Sequence, residues 1–368
     1  AVSQIVEQFI RVVTMVVLAY VLLPYGLEFA AAGAAFGAVP GSLTGLVVLG
    51  GFYRYYKKQW REEESAVPGA QLTPARRLIK RLLLLALPVS CANVIVPVTS
   101  SIDVLLVPKY LLAAGFSVKE TTTQFGYLAG MAQPLLLMAT IPTMSLATSL
   151  VPAVSEAMAL KRWPLIEEKL ATAMKLCCLI TVPAAVGMSA LAGPISRLLY
   201  GTGEAAAAIM HSGPAIWFLG LQQVTTGMLQ GMGHTNLPML HMLAGIVAKL
   251  IAVCQLTNAE YGIAGAAWAT NINFGVTAAL NILALQYFKI KFHWLSICKI
   301  IFAALIMGAA AQALHGLLAG FNYTLATLAA LAGAGVVYAA LLPLLRIISV
   351  AELKQLPLVK KLAQKLRK

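Results

Sequence analysis

The chain has 368 residues, 60% of them hydrophobic and 11% charged, with a mean hydropathy of +0.83 and a formal net charge of +14. Water-soluble globules carry about 25% charged residues, so the composition excludes a soluble enzyme or a soluble nucleic-acid-binding domain in spite of the basic balance. Apolar runs of about 20 residues recur along the chain, and no ten-residue alternating pattern of a barrel is present, so an all-α, polytopic membrane protein is predicted.

About ten transmembrane helices are expected, over roughly 4–24, 27–52, 79–107, 122–150, 171–193, 205–230, 236–256, 262–287, 295–318 and 323–346. In the first, Glu7 and Arg11 stand four residues apart, the spacing of a salt bridge along one helix face, and Arg11 would line a central cavity if that face turns inward. The second carries Gly33, Gly37, Gly41 and Gly45, a four-residue stripe on which a neighbouring backbone can approach closely, and Pro40, which predicts a kink.

The third contains Asp103, the one aspartate of the chain, with Asn93, Pro97 and Ser100 at three- and four-residue steps before it. Counted from the cytoplasmic end, Asp103 is expected near the outer boundary, either as a functional intramembrane charge or as an interfacial cap near Lys109. Gln222 and Gln223 in the sixth span, with Thr225 and Thr226, are candidates for sugar hydroxyls or for polar glue between helices, and Asn271 and Asn273 in the eighth are read in the same two ways. In the seventh, Lys249 lies 13 residues past Asn236, about 20 Å into a core of about 30 Å, where an ammonium needs a partner, a wet cavity or an anionic ligand.

Arg54, Lys57, Lys58, Arg61, Arg76, Arg77, Lys80 and Arg81 follow the second span, Lys161, Arg162 and Lys169 the fourth, and Lys289 and Lys291 the eighth, whereas the alternate loops hold only Lys109, Lys119 and Arg197. The positive-inside rule then places both ends in the cytoplasm. The tail LKQLPLVKKLAQKLRK reads as a basic amphipathic segment at anionic lipids. Cys91, Cys177, Cys178, Cys254 and Cys298 form no C-x-x-C pair, the five histidines have no metal-ligand spacing, and neither a phosphate-binding loop nor a nucleophile elbow is present. No catalytic residue, metal or cofactor is expected.

One phrase occurs twice. Tyr25-Gly26-Leu27 and AGAAF (32–36) return 232 residues later as Tyr261-Gly262-Ile263 and AGAAW (264–268), and the glycine stripe returns as Gly265, Ala269, Asn273 and Thr277. Each copy closes a pair of closely joined spans whose first helix carries a lone cation, Arg11 or Lys249. A same-direction repeat of this kind predicts two related lobes, the first incomplete, with four further helices expected ahead of Ala1.

The runs RLLLLALPVSCANVIVPVTSSIDVLLVPKYL (81–111), ATSLVPAVSEAMA (147–159), LGLQQVTTGMLQGMGHTNLPMLHMLAGIVAKL (219–250) and YGIAGAAWATNINF (261–274) resemble the stage V sporulation protein B family of lipid-linked-oligosaccharide exporters. That family lies in the multidrug/oligosaccharidyl-lipid/polysaccharide (MOP, MATE-like) superfamily, and the opening SQIVEQFIRVV is similar to its fifth helix. The resemblance implies two six-helix lobes around a cavity, two extra C-terminal helices, and alternating access that flips a lipid-linked, pyrophosphate-bearing sugar. The expected organisation is therefore 1–53 as the last two helices of the N-lobe, 54–78 as a cytoplasmic inter-lobe loop, 79–290 as a six-helix C-lobe, 291–347 as two additional helices and 348–368 as the tail.

The reading is a flippase of the bacterial cytoplasmic membrane, not an enzyme, with Arg11, Lys249, Asp103, Asn93, Gln222, Gln223, Asn271 and Asn273 as candidate substrate-binding residues. A coupling H+ or Na+ and anionic lipids are candidate partners, and nucleic acid is not. The alternatives are a cation-coupled multidrug antiporter of the same fold, which needs cavity carboxylates, and a membrane scaffold for envelope or spore assembly that does not transport.

Overall fold

A computed structural model describes residues 2–65, 75–290, 292, 294–318, 320 and 322–347. Among these there are thirteen α-helices and no strand. The chain divides into two compact units, Ala1–Leu78 and Ile79–Lys368.

In the first unit, α1 (Val2–Leu22) ends in a short 3-10 turn, Leu23–Tyr25, and the chain reverses at Gly26. There φ is +126°, a backbone region that a side chain would strain. α2 (Leu27–Phe36) and α3 (Ala38–Ser65) then run back along α1. The break between them at Gly37 lies ahead of Pro40, because Pro40 has no N–H to bond the carbonyl of Phe36, the last residue of α2.

The glycine stripe faces α1. Gly33, Gly37, Gly41 and Gly45 are all buried, and a Cβ at Gly33 would stand 3.1 Å from the Leu18 carbonyl oxygen, at Gly37 2.8 Å from Met15 N, and at Gly41 3.0 Å from the Glu7 carbonyl oxygen. The partners descend as the glycines ascend, so the pair is antiparallel. The segment expected as a loop, 54–78, is helical at both ends, since α3 continues to Ser65 and α4 begins at Ala75. The stretch RYYKKQWREEES has neither Gly nor Pro and is rich in Lys, Arg, Glu and Gln, which lose little side-chain freedom in a helix, so the helix outlasts its apolar part.

The second unit comprises α4 (Ala75–Ala113), α5 (Val118–Gly126), α6 (Gln133–Ala159), α7 (Trp163–Ala190), α8 (Ala192–Tyr200), α9 (Ala206–Gly231), α10 (Asn236–Leu256), α11 (Gly262–Tyr287), α12 (Trp294–Leu318) and α13 (Tyr323–Leu344). α5 starts at a capping box in which Ser117 and Glu120 satisfy each other's backbone N–H groups. A π-helical turn, Tyr127–Ala132, joins it to α6.

α9 is central, packing on α6, α7 and α11, while α10 packs on α11 and the α12–α13 pair on α7. Its glycines recur at seven-residue steps. A Cβ at Gly213 would meet the Ala185 carbonyl oxygen of α7 at 2.8 Å, at Gly220 the Thr181 side chain at 2.6 Å, and at Gly227 the Ala147 carbonyl oxygen of α6 at 2.7 Å. Helices without a solvent-driven hydrophobic effect between them associate through such close backbone contact.

Helices cover all ten expected positions. Seven helical stretches among the described residues are long and apolar enough to cross a membrane; α4 is outside that set, and so are α9 and α11. The latter two are the helices with the most polar residues held inside the bundle, including Gln222, Thr225, Asn271, Asn273, Thr277 and Asn281. A helix shielded from lipid by its neighbours can carry amides and hydroxyls that a lipid-facing helix cannot. The outward residues of α10 are instead Leu240, Leu243, Val247 and Ile251.

Candidate functional site

Asp103 of α4 and Lys249 of α10, 146 residues apart, form an ion pair with Lys249 Nζ 2.7 Å from Asp103 Oδ2. Lys249 is 1% exposed and Asp103 3%. Gln133, the first residue of α6 after the π turn, donates weakly from Nε2 to the same oxygen at 3.5 Å, so three helices meet on one carboxylate. Asp103 Oδ1 is buried and accepts no hydrogen bond within the described residues. Further along α4 and α10, the Cys254 thiol donates to the Tyr110 hydroxyl oxygen at 2.9 Å.

Of the two readings of Asp103, a functional intramembrane charge and an interfacial cap near Lys109, the observed partner favours the first, because it is Lys249 of another helix. Lys249, read from the sequence either as a cation for an anionic ligand or as a member of an interhelical pair, is seen in the interhelical pair.

A second polar group ties α9, α10 and α11. Asn281 Nδ2 donates to the hydroxyl oxygens of Thr225, at 3.1 Å, and Thr226, at 3.0 Å. Its Oδ1 lies 2.7 Å from His241 Nδ1, and because the amide nitrogen is already donating, Nδ1 must carry the proton. Asn281 and His241 were not among the residues singled out from the sequence. The signal was present, since Asn273, Thr277 and Asn281 continue at four-residue steps on one face of α11.

The remaining candidates sit in helix interfaces. Asn271 donates to the His211 carbonyl at 2.8 Å and leaves its own Oδ1 buried without a partner, as is Gln222 Oε1. Gln223 Oε1 accepts from the Thr143 hydroxyl at 2.6 Å. Asn273 and Thr277 pack on α10 where Gly245 makes room: a Cβ there would stand 2.7 Å from the Asn273 Oδ1 and 2.3 Å from the Thr277 hydroxyl oxygen. Gly265 is tighter still, with a Cβ position 1.9 Å from the Leu256 carbonyl oxygen. In the first unit Arg11 pairs with Glu7 at 2.7 Å, both about one-third exposed or less. The side chain of Asn93 and the basic tail lie outside the described residues.

A cavity of about 700 Å³ opens between the start of α5, the α8–α9 connection and the α10–α11 connection. Glu120, Glu204 and Glu260 line it with Tyr127 and Tyr261, and the Tyr127 hydroxyl donates to Glu204.

A helix bundle with an apolar exterior, a central helix shielded by its neighbours and an ion pair buried between helices defines a polytopic α-helical membrane protein. The model of the family "Lipid II flippase MurJ" matches residues 12–332. The chain belongs to that family. It is 30% identical over 316 residues to the uncharacterized membrane protein YabM of Bacillus subtilis, covering 84% of this chain and 58% of YabM. It is 28% identical over 368 residues to stage V sporulation protein B of B. subtilis, covering 98% of this chain and 70% of that protein.

Similarity to the B. subtilis lipid II flippase MurJ is 24% over 262 residues, covering 68% of this chain and 47% of that one. The chain thus spans roughly half to two-thirds of the length of these relatives. A solved structure of lipid II flippase MurJ in an inward closed conformation superposes with a TM-score of 0.61 at 17% identity, over 90% of this chain and 65% of that one, which establishes a shared fold.

Proposed function

We propose that this chain belongs to a flippase that carries a lipid-linked, pyrophosphate-bearing sugar precursor across the bacterial cytoplasmic membrane by alternating access. The observation that carries this reading is the family membership over residues 12–332, together with a polar interior built on helices that share the MurJ fold. The distribution of Lys and Arg supports an orientation with both ends in the cytoplasm. In this reading Arg11 and the amides of Gln222, Gln223, Asn271 and Asn273 serve the cargo or the helix interfaces it moves through. The basic tail meets anionic lipid headgroups, and no step of bond making or breaking is assigned to the chain.

The antiporter alternative needs a carboxylate that is free to exchange cations. Among the described residues, the two carboxylates that the sequence places within spans, Glu7 and Asp103, are each held by a cation of the same chain, which favours the flippase. The test is depletion of the complete protein in its host with measurement of lipid-linked precursors in the inner leaflet. Accumulation there, reversed by re-expression, is expected; an unchanged precursor pool with an intact envelope would remove the reading.

A further inference from the structure

Lys249 heads the large side chains that are fully buried in this protein, and its ammonium reaches one oxygen of a carboxylate that is itself buried. A carboxylate withdrawn from water needs a counter-charge, and a small metal cation, a proton or a basic side chain can each supply one. Here the counter-charge is covalently part of the chain. Around Asp103 the acceptors and donors are unevenly filled: Oδ2 faces both Lys249 and Gln133, while Oδ1 is buried and faces no donor within the described residues. The position therefore offers oxygen ligands in an enclosed setting, with an ammonium in place of a free ion.

We propose that Lys249 is a tethered counter-cation that keeps the junction of α4, α6 and α10 closed and makes the Asp103 position independent of small inorganic cations and of protons. Removing the ammonium while keeping the helices would leave a buried carboxylate, the Gln133 amide and the space of a lysine head group. That is a site for a monovalent cation such as Na+, or for a proton on Asp103. Among the described residues, the titratable groups at this junction are Asp103 and Lys249 themselves, with Tyr110 and Cys254 hydrogen-bonded to each other further along α4 and α10. The inference rests on the geometry of the second unit and not on the flippase reading, so its test needs no transport assay.

The full-length protein is purified in detergent as wild type, as Lys249→Gln, and as the neutral double variant Asp103→Asn with Lys249→Gln. Thermal unfolding is followed in choline, Na+ and Li+ salts of equal ionic strength, and from alkaline to mildly acidic pH. Wild type is expected to show the same Tm in choline and Na+. Lys249→Gln is expected to unfold earlier in choline at alkaline pH and to recover by at least about 2 °C on adding Na+ or on acidification, beyond any response of the double variant. Tyr110 and Cys254 are present in all three proteins, so their titration cancels in that comparison. A wild-type response to Na+ as large as that of Lys249→Gln would overturn the proposal, as would a folded Lys249→Gln that responds no more than the double variant. Failure of Lys249→Gln to fold under every cation and pH, with the double variant folded, would overturn it too.

Discussion

Asn281 shows how much one residue can organise inside a membrane bundle. It is fully buried, yet its amide both donates to two threonine hydroxyls of α9 and accepts from the His241 ring of α10. Asn281→Ala removes the acceptor of the half-buried His241 ring N–H and the amide donor to the Thr225 and Thr226 hydroxyls, and a polar group left buried without its partner costs about 1–3 kcal/mol. The expected outcome is a clear loss of thermal stability in detergent, whereas Gln286→Ala, exposed at the end of the same helix, should leave Tm nearly unchanged. The residues Gln222, Gln223, Asn271 and Asn273 were visible in the sequence as polar positions in apolar runs. Their partners were not, because Thr143 stands 80 positions from Gln223 and His211 60 from Asn271.

The repeated helix pairs solve the same packing problem with the small and large residues exchanged between partners. In the first pair the glycines Gly41 and Gly45 belong to α3, and the bulky side chains Glu7 and Arg11 to α1. In the second, Asn273 and Thr277 occupy the corresponding places on α11, and the glycine, Gly245, has moved to α10. Only one partner of a close pair can be large, so making the second helix polar required its neighbour to become small. Gly265 retains the older role, pressed against the Leu256 carbonyl. Gly265→Ala should force α10 and α11 apart and lower both yield of folded protein and Tm. Gly275→Ala on the same helix meets only the Phe218 ring at an ordinary 3.7 Å and should be tolerated, and equal losses for the two would refute this account of the α10–α11 contact. The four-residue stripe across α2 and α3 was legible because its period is that of one helix face. The seven-residue series Gly213, Gly220 and Gly227 was harder to see, since its partners change from α7 to α6 along the helix.

Across the whole molecule, basic residues gather at alternate helix connections, and the charge bias makes a testable statement about the membrane. Single cysteines placed at Ala259, between α10 and α11, and at Lys161, between α6 and α7, are expected to differ in the complete protein. An impermeant thiol reagent should label Ala259→Cys above the parent's background in intact cells, and Lys161→Cys only after permeabilisation; the reverse pattern would invert the proposed orientation. The ten helical positions, the all-α class, the glycine stripe and the repeat all follow from composition and period, because lipid requires each span to satisfy its own backbone and to show apolar side chains. Those are local properties, readable within some twenty residues. Which polar residues meet is not local. Asp103 and Lys249 stood out singly as charges in apolar helices, but the 2.7 Å contact between them joins points 146 residues apart and exists only because the fold brings these side chains of α4 and α10 together, with Gln133 of α6 beside them. Tertiary packing alone decided that these two charges answer each other, since a buried ion is tolerated only where a partner is brought within hydrogen-bonding distance.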